Sequence, residues 1–281
     1  MSAYRFCRSD DIGLLVDALN RCRAPYFPDE PPMTPAAFKR SIRDLQIWCS
    51  SCMVAFSGSD PIGVLIGAKR PSGTLIHTIA VHPDHVRQGH GRHLLTSLGS
   101  KLSILGPPRI IAEVPDTLVP ACELFSATGY VEEAVLTDYV FDGDRKRAGE
   151  LAGGFVIPVT IDDLAANGLL GEADPQVCWQ RSIETLTARK DDIAGLAVAS
   201  DERIEAYILY RNGGEIVSLR SFVEDRGARL THLVSQLSTQ GMTTFRFPKV
   251  HPAEISKESL AALGFRPAGR HLLYGTRAHS D

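Results

Sequence analysis

Residues 81–95, VHPDHVRQGHGRHLL, combine two glycines and several basic side chains just before a stretch that turns apolar at helical spacing. The preceding residues 73–83 are apolar and β-branched, and Pro83 ends this strand-like run. The sequence therefore predicts a strand, a glycine-bracketed turn and a helix N-terminus, where backbone N–H groups and the helix dipole favour a bound anion. One helical face is formed by Leu94, Leu95, Leu98, Leu102 and Leu105.

Two familiar phosphate-binding patterns do not fit this turn. A P-loop requires G-x-x-x-x-G-K-[ST], which occurs nowhere in the chain. A dinucleotide fingerprint requires a third glycine, and Leu94 stands at that position. Glycine still serves a purpose here, because a Cβ atom would obstruct close approach of the backbone to a phosphate.

The pattern resembles the GNAT superfamily of acyl-CoA-dependent N-acyltransferases. Val-x-Pro ends the strand at residues 81–83, and Gly89-His90-Gly91 fits the family loop [QR]-x-x-G-x-[GA], except that Val86 occupies its first position. Arg87 and Gln88 are then the residues expected to supply the side-chain contact. The resemblance implies that this loop holds the pyrophosphate of coenzyme A and that the strand pairs with the pantetheine arm. The implied cofactor-binding residues are Ile79, Ala80, Val81, Val86, Arg87, Gln88, Gly89, His90, Gly91, Arg92 and Phe125.

A second landmark of the family lies in residues 109–130. Glu113-Val114 matches its E-V strand, and Gly129-Tyr130 is a conservative form of its G-F pair. Leu118 replaces the family's asparagine, and Phe125 replaces the tyrosine that protonates the departing thiolate. A phenyl ring packs against apolar groups but cannot donate a proton.

N-acyl transfer to an amine benefits from a general base, because amines are mostly protonated at pH 7. The family resemblance makes Glu113 the best candidate, although an ordinary strand-end carboxylate is an equally simple interpretation. His77 and Thr78 on the preceding strand are weaker candidates.

A proline-rich arch, PYFPDEPPMTP at residues 25–35, separates two predicted helices. In the family this connection covers the acceptor site. The candidate substrate contacts are Tyr26, Phe27, Asp29 and Glu30, and a solvated structural loop is the alternative.

Two patterns mimic other chemistry. The spacing of four histidines is compatible with a metal site: His82, His85, His90 and His93. Gathering their imidazoles around one ion, however, would displace the anion site that the same backbone forms. Cys49 and Cys52 form a single C-x-x-C that leads into a strand-like run, and buried reduced thiols explain it best. We expect no metal.

Composition excludes several classes of protein. The formal net charge of −3 disfavours a nucleic-acid binder. No signal-like or membrane-spanning apolar stretch occurs, so we expect a cytoplasmic protein with no membrane partner.

The second half repeats the first in a degraded form. The interval from Gly91 to Gly129 nearly equals that from Gly227 to Gly264, and FVEDRGARL replaces the phosphate loop with a single glycine. Glu224 and Asp225 would repel a phosphate there. We expect an α/β (α+β) fold of two tandem GNAT-like domains, each a mixed, mostly antiparallel central sheet flanked by helices. Their expected bounds are 1–148, catalytic, and 149–281, degenerate, with a boundary near residues 142–150.

The expected function is an N-acetyltransferase that moves an acetyl group from acetyl-CoA to a primary amine of a small molecule or peptide. A regulatory acyl-CoA-binding module without turnover is the second hypothesis, and a scaffold that binds no coenzyme A is the third. The sequence does not specify the acceptor, the acyl chain length or the oligomeric state.

Overall fold

The computed structural model describes residues 2–143, 154–170 and 177–278. The chain divides into two compact units, one formed by Met1–Ala134 with Leu272–Asp281 and the other by Val135–His271. No helix in the described ranges is both long enough and apolar enough to cross a membrane.

The first unit is a mixed sheet with helices. Its strands lie in the order β1-β2-β3-β4-β5-β12-β6. Among the first five strands, β4 and β5 pair in parallel, and the other neighbouring strands pair antiparallel. The elements are β1 (Ser2–Phe6), α1 (Ile12–Cys22), α2 (Pro35–Leu45), β2 (Met53–Ser57), β3 (Asp60–Arg70), β4 (Gly73–Val81), α3 (His90–Leu105), β5 (Arg109–Pro115), α4 (Val119–Ala127) and β6 (Val131–Asp142).

Local sequence signals account for the helix ends. Thr34 caps α2 by accepting a hydrogen bond from the Ala37 N–H, and Pro35 occupies the first helical position, where no N–H is needed. The predicted leucine face of α3 is buried in the core of the unit as far as Leu102. Leu105 is the exception, because it ends the helix and is 69% exposed.

The second unit follows the same plan in sheet order β7-β8-β9-β10-β11-β6-β12. Its core joins the apolar faces of the strands to the buried face of α7. The elements are β7 (Phe155–Val159), α5 (Ile161–Ala166), α6 (Ile183–Ala188), β8 (Ile193–Ala199), β9 (Ile204–Arg211), β10 (Glu215–Ser221), α7 (Ala228–Thr239), β11 (Thr244–Val250), α8 (Lys257–Ala262) and β12 (Arg266–Arg277).

Strands β6 and β12 each pass through both units. The first residues of β6, up to Ala134, belong to the first unit, and the rest pair with β11 in the second. Conversely, Leu272 and the residues after it belong to the first unit, where β12 lies beside β5. These units differ from the expected bounds of 1–148 and 149–281, because a strand from the far end of the chain completes the first sheet. Most of the expected 142–150 boundary lies outside the described residues.

Candidate functional site

A β-bulge interrupts the pairing of β4 with β3 near the middle of the strand. Thr78 pairs with Ile66 and Ile76 with Gly67, which leaves His77 as the extra residue. Before the bulge, β4 pairs in parallel with β5 through Thr74 and Leu75. Beyond it, the described residues of these two strands form no further pair. A bulge bends and twists its strand, so the two strands separate here.

The separated end of β4 is accessible. Its residues Gly73–Ile76 are buried, whereas His77–Val81 are only partly covered. The stretch predicted to pair with a pantetheine arm, Ile79–Val81, therefore lies on the part of β4 that is partly exposed and does not pair with β5. The hydroxyl of Tyr26 donates a hydrogen bond of 2.8 Å to the Val81 carbonyl, which places one arch residue at this end of the strand.

The loop after β4 forms a nest of backbone N–H groups. Residues Pro83–His85 make one 3₁₀ turn, Arg87 adopts a φ of 61°, and Gly89 caps α3 with a φ of 86°. Within the described part of the chain, no acceptor receives the backbone N–H groups of His90, Gly91 or Arg92. Unsatisfied amides at a helix N-terminus, together with the helix dipole, favour a bound anion.

The glycines of this loop have different roles. Gly89 needs its left-handed conformation, and no atom would lie within 4 Å of an added Cβ. At Gly91 a Cβ would lie 2.9 Å from Cδ2 of Leu124, so glycine there allows α4 to pack against the start of α3. The two helices thereby border the loop on one side.

Comparisons with known proteins identify the domain that holds this loop. Residues 16–130 match the family model described as acetyltransferase (GNAT) family. These residues form a GNAT acetyltransferase domain. A search of curated proteins found no match.

Solved structures extend the likeness in fold to the whole chain. A tandem GNAT protein from the clavulanic acid biosynthesis pathway aligns over 100% of both chains, with 17% identity and a TM-score of 0.68. A GCN5-related N-acetyltransferase from Sphaerobacter thermophilus aligns over 99% of this chain and 96% of its own, with 12% identity and a TM-score of 0.70. The expected α/β fold of two tandem GNAT-like domains is confirmed, and the likeness at this identity concerns the fold alone.

Two side chains of the GNAT loop have partners within the protein. Arg87 forms an exposed ion pair of 3.0 Å with Glu123, and the Gln88 amide donates to the Asp84 carbonyl. Val86 is 45% exposed. An exposed ion pair of this kind contributes little to stability, so Arg87 is free to exchange Glu123 for a phosphate at small cost.

His90 is the exception among the loop side chains, because it is buried. Its Nδ1 lies 2.6 Å from the hydroxyl of Tyr4 on β1, and the Tyr4 ring packs against His93 with a centroid distance of 3.8 Å. Burial, with His85 and His93 nearby, lowers the pKa of His90 and so favours the neutral imidazole. The sequence analysis missed Tyr4, because a single tyrosine on an edge strand carries no local signal of its partner.

The four histidines do not form a metal cluster. Within residues 2–143, 154–170 and 177–278, no three His, Cys, Asp or Glu side chains are grouped so as to hold a metal ion. In the C-x-x-C pair burial raises the pKa of both thiols, and Cys52 is fully buried, which is the opposite of the lowered pKa typical of a redox motif.

Glu113 lies on β5, beyond the residues of that strand that pair with β4. It is partly covered, and its neighbours Ala112 and Val114 face the core. By strand alternation the Glu113 side chain therefore lies on the opposite face from these two residues. This places a carboxylate on the strand that separates from β4.

Phe125 lies in the core of the first unit and is only 1% exposed. Its ring stacks on Tyr274 of β12 at 5.6 Å and meets Tyr130 edge-on at 5.1 Å. The position of the family's tyrosine is thus filled by an apolar ring held between two other rings. Tyr274 was also missed from the sequence, because it comes from the last strand of the chain.

The arch places its four candidate residues differently. Tyr26 reaches β4, as described above, and Asp29 is exposed. Glu30 accepts hydrogen bonds from Arg23 at 2.5 and 3.1 Å, which lower the pKa of its carboxyl, and the same guanidinium lies 4.2 Å from the centre of the Phe27 ring. Glu30 and Phe27 therefore order the arch, and Tyr26 ties it to β4, whereas the exposed Asp29 remains available to an acceptor.

The second unit contains a counterpart of the loop. Val217 is the extra residue in a β10 bulge, Arg226 has a φ of 56°, and Gly227 caps α7 with a φ of 80°. Here, however, the Asp225 carboxylate accepts hydrogen bonds from the N–H groups of Gly227 at 2.9 Å and Arg229 at 2.8 Å. A side chain of the protein itself therefore occupies the position that an anion would take.

Proposed function

We propose that the first unit transfers an acetyl group from acetyl-CoA to a primary amine. The observation that carries this proposal is the loop Gly89–Arg92, whose unsatisfied amides follow directly after a bulged strand that has separated from its neighbour. Amides at a helix N-terminus suit a pyrophosphate, and the free edge of β4 suits the amide groups of a pantetheine arm. The match to the GNAT family model over residues 16–130 supports this assignment.

The reaction needs few groups beyond good positioning. The amine nitrogen attacks the thioester carbonyl, a C–N bond forms, the C–S bond breaks, and the thiolate leaves with the electron pair. Glu113 takes the proton of the amine, directly or through a water molecule, in the role of general base. The thiolate is then protonated by water or by the product's released proton, because Phe125 cannot donate one. Holding both reactants along β4 supplies much of the rate.

A regulatory acyl-CoA-binding module remains the second candidate, and one observation favours it. Phe125 is packed between two aromatic rings in the core, so no hydroxyl group is presented from the family's position. Binding and turnover therefore have to be measured separately.

The test is acetyl transfer to a panel of primary amines, followed through release of free thiol from acetyl-CoA. We expect turnover with at least one amine, and Glu113→Gln is expected to lower kcat by about 10²-fold or more with acetyl-CoA binding retained. Binding without turnover across small amines, amino acids and peptides would select the regulatory module. Absence of acetyl-CoA binding would refute both candidates.

A further inference from the structure

The turn at the start of α3 has one side chain between its two glycines, and that side chain is buried. Because Gly89 and Gly91 carry no side chain, His90 is the residue of this triplet that can anchor the turn through a side-chain contact. His90 is 5% exposed, whereas Arg92 and His93 on the same helical turn are exposed. The middle residue of the triplet therefore points into the protein.

Tyr4 of β1 contacts the first turn of α3 at two places. Its hydroxyl oxygen lies 2.6 Å from Nδ1 of His90, and the two groups form a hydrogen bond. Its ring packs against the His93 ring with a centroid distance of 3.8 Å. Residues three apart lie on the same face of a helix, so one tyrosine holds both His90 and His93.

The backbone of β1 fixes the position of Tyr4 itself. Tyr4 pairs with the fully buried Ala55 in the antiparallel ladder between β1 and β2. Strand alternation places Phe6 on the same face as Tyr4, and the ammonium group of Lys101 on α3 lies 3.9 Å from the centre of the Phe6 ring. This face of β1 is therefore a support for α3, with Tyr4 at the helix N-terminus.

Such a support matters most for a turn that contains glycine. Glycine loses more conformational freedom on ordering than any other residue, so the turn formed by Gly89 and Gly91 is costly to hold in one conformation. If the amides of this turn had to become ordered when a ligand bound, that cost would be subtracted from the affinity. Contacts that order the turn in the free protein therefore strengthen binding without touching the ligand.

We propose that Tyr4 is a positioning residue of the acetyl-CoA site. By holding His90 and His93, it keeps the amides of residues 90–92 in the conformation that receives the pyrophosphate. This role rests on the proposed function, because it concerns the same loop. Tyr4 acts through His90 and not on the reacting atoms, so it affects binding of acetyl-CoA and not the rate of acetyl transfer from the bound complex.

The test is isothermal titration of acetyl-CoA into the full chain and into Tyr4→Phe. The phenyl ring preserves the packing on His93 and removes only the hydroxyl. We expect Kd for acetyl-CoA to rise by about three- to tenfold, as for the loss of one hydrogen bond. With an amine that is turned over, we expect KM for acetyl-CoA to rise similarly while kcat stays within about twofold of wild type.

Two further variants provide the controls. Tyr130→Phe removes a hydroxyl from a buried tyrosine in the same core and is expected to leave Kd unchanged. His90→Leu removes the other partner of the hydrogen bond. In the His90→Leu chain, Tyr4→Phe is expected to cause no further rise in Kd, because a double-mutant cycle isolates the interaction of the pair.

Hydrogen exchange tests the ordering of the turn without any ligand. The His93 N–H donates to the Gly89 carbonyl at 3.0 Å, so its exchange rate reports opening of the first helical turn. We expect this rate to increase in Tyr4→Phe by about the same factor as Kd. Exchange of the β3 amides should remain at the wild-type rate, which shows that the fold is retained.

The outcomes separate this role from the proposed function. If the wild-type chain binds acetyl-CoA and Tyr4→Phe changes neither Kd nor the exchange of the His93 amide, Tyr4 is not a positioning residue and the proposed function stands. Equal weakening by Tyr4→Phe and Tyr130→Phe would also overturn the role, because it would indicate a general loss of packing. Absence of acetyl-CoA binding to the wild-type chain would overturn the proposed function and this role together.

Discussion

Helices α3 and α7 both begin at a left-handed glycine cap but differ in what lies against their amides. Each follows a bulged strand, an arginine with positive φ and a glycine cap. In the first unit the amides of His90, Gly91 and Arg92 meet no acceptor within the described residues. In the second the Asp225 carboxylate accepts hydrogen bonds from the N–H groups of the cap residue Gly227 and of Arg229. A helix N-terminus favours a nearby anion, and in the second unit the protein itself supplies one, whereas we propose that a bound ligand supplies it in the first.

This difference teaches how an anion site is lost without loss of the fold. Asp225 is further held by Arg229, which also pairs with Glu205. The carboxylate is partly desolvated, which alone would raise its pKa, but the hydrogen bonds from Arg229 and Gly227 outweigh this and lower the pKa of Asp225. The charged form therefore persists at neutral pH and excludes a phosphate by occupancy as well as by repulsion.

The largest expected effect comes from removing the C-terminal strand. A chain of residues 1–148 lacks the segment from Leu272 onward that lies beside β5, and with it the ring of Tyr274 that stacks on Phe125. We expect this fragment to aggregate or to lack a cooperative unfolding transition, because exposed strand edges and an incomplete core remain. Circular dichroism during heating shows whether the fragment unfolds in a cooperative transition.

A fusion supplies the matched control for that fragment. Residues 1–148 joined by a flexible Gly-Ser linker to residues 266–278 regain β12 and are expected to regain solubility. Cooperative unfolding of 1–148 alone, with acetyl-CoA binding, would show that the strand is dispensable.

The substitution Gly91→Glu is expected to abolish binding of acetyl-CoA at the loop before α3. The new Cβ meets the flexible end of Leu124, and the carboxylate supplies an internal anion as Asp225 does in the second unit. At a ligand concentration of 100 times Kd, acetyl-CoA adds about 2.7 kcal/mol to wild-type stability, and this gain should vanish. Thermal unfolding with and without acetyl-CoA measures it.

The control for this substitution lies on the same helix. At Gly99 an added Cβ meets no atom within 4 Å, so Gly99→Glu introduces the same charge away from the loop. If acetyl-CoA still stabilises Gly91→Glu, or no longer stabilises Gly99→Glu, the loop before α3 is not the acetyl-CoA site.

Asp225→Ala removes the internal anion of the second unit. We expect a loss of about 1–2 kcal/mol in the free energy of unfolding, since a helix cap and an ion pair are deleted. Urea denaturation measures it, with Glu224→Ala as a neighbouring exposed control that stays within about 0.5 kcal/mol of wild type. Equal losses in both variants would mean that Asp225 does not act as a cap.

The contribution of Asp225 to the free energy of unfolding should also depend on pH, and this is the smallest of the expected effects. Because the pKa of Asp225 is lower in the folded chain than in the unfolded one, its stabilisation is fully present above the unfolded pKa. It is lost as pH falls through the folded value. The stability gap between wild type and Asp225→Ala should therefore narrow between neutral and strongly acidic pH, and a constant gap would contradict the assignment.

Much of the first unit could be predicted from the sequence because its signals are local. The β-branched run before Pro83, the glycines at 89 and 91 and the leucine face of α3 lie within one short stretch, and the observed elements follow them. The second loop was also predicted to exclude phosphate from Glu224 and Asp225, although the specific cap by Asp225 depends on geometry that spacing alone does not fix.

The missed features all depend on pairing between distant residues. Tyr4 meets His90, and Tyr274 meets Phe125, from opposite ends of the chain. The unit boundary was placed at a polar stretch, whereas strand pairing carries β6 and β12 through both units. Strand order is determined by long-range packing, which composition and local spacing do not encode.

The most direct measurement of the central claim is the stoichiometry of acetyl-CoA binding to the full chain by isothermal titration. The unsatisfied amides of the first loop and the Asp225-capped amides of the second predict one site per chain, which Gly91→Glu removes. Two sites per chain, or one site that survives Gly91→Glu, would contradict the account.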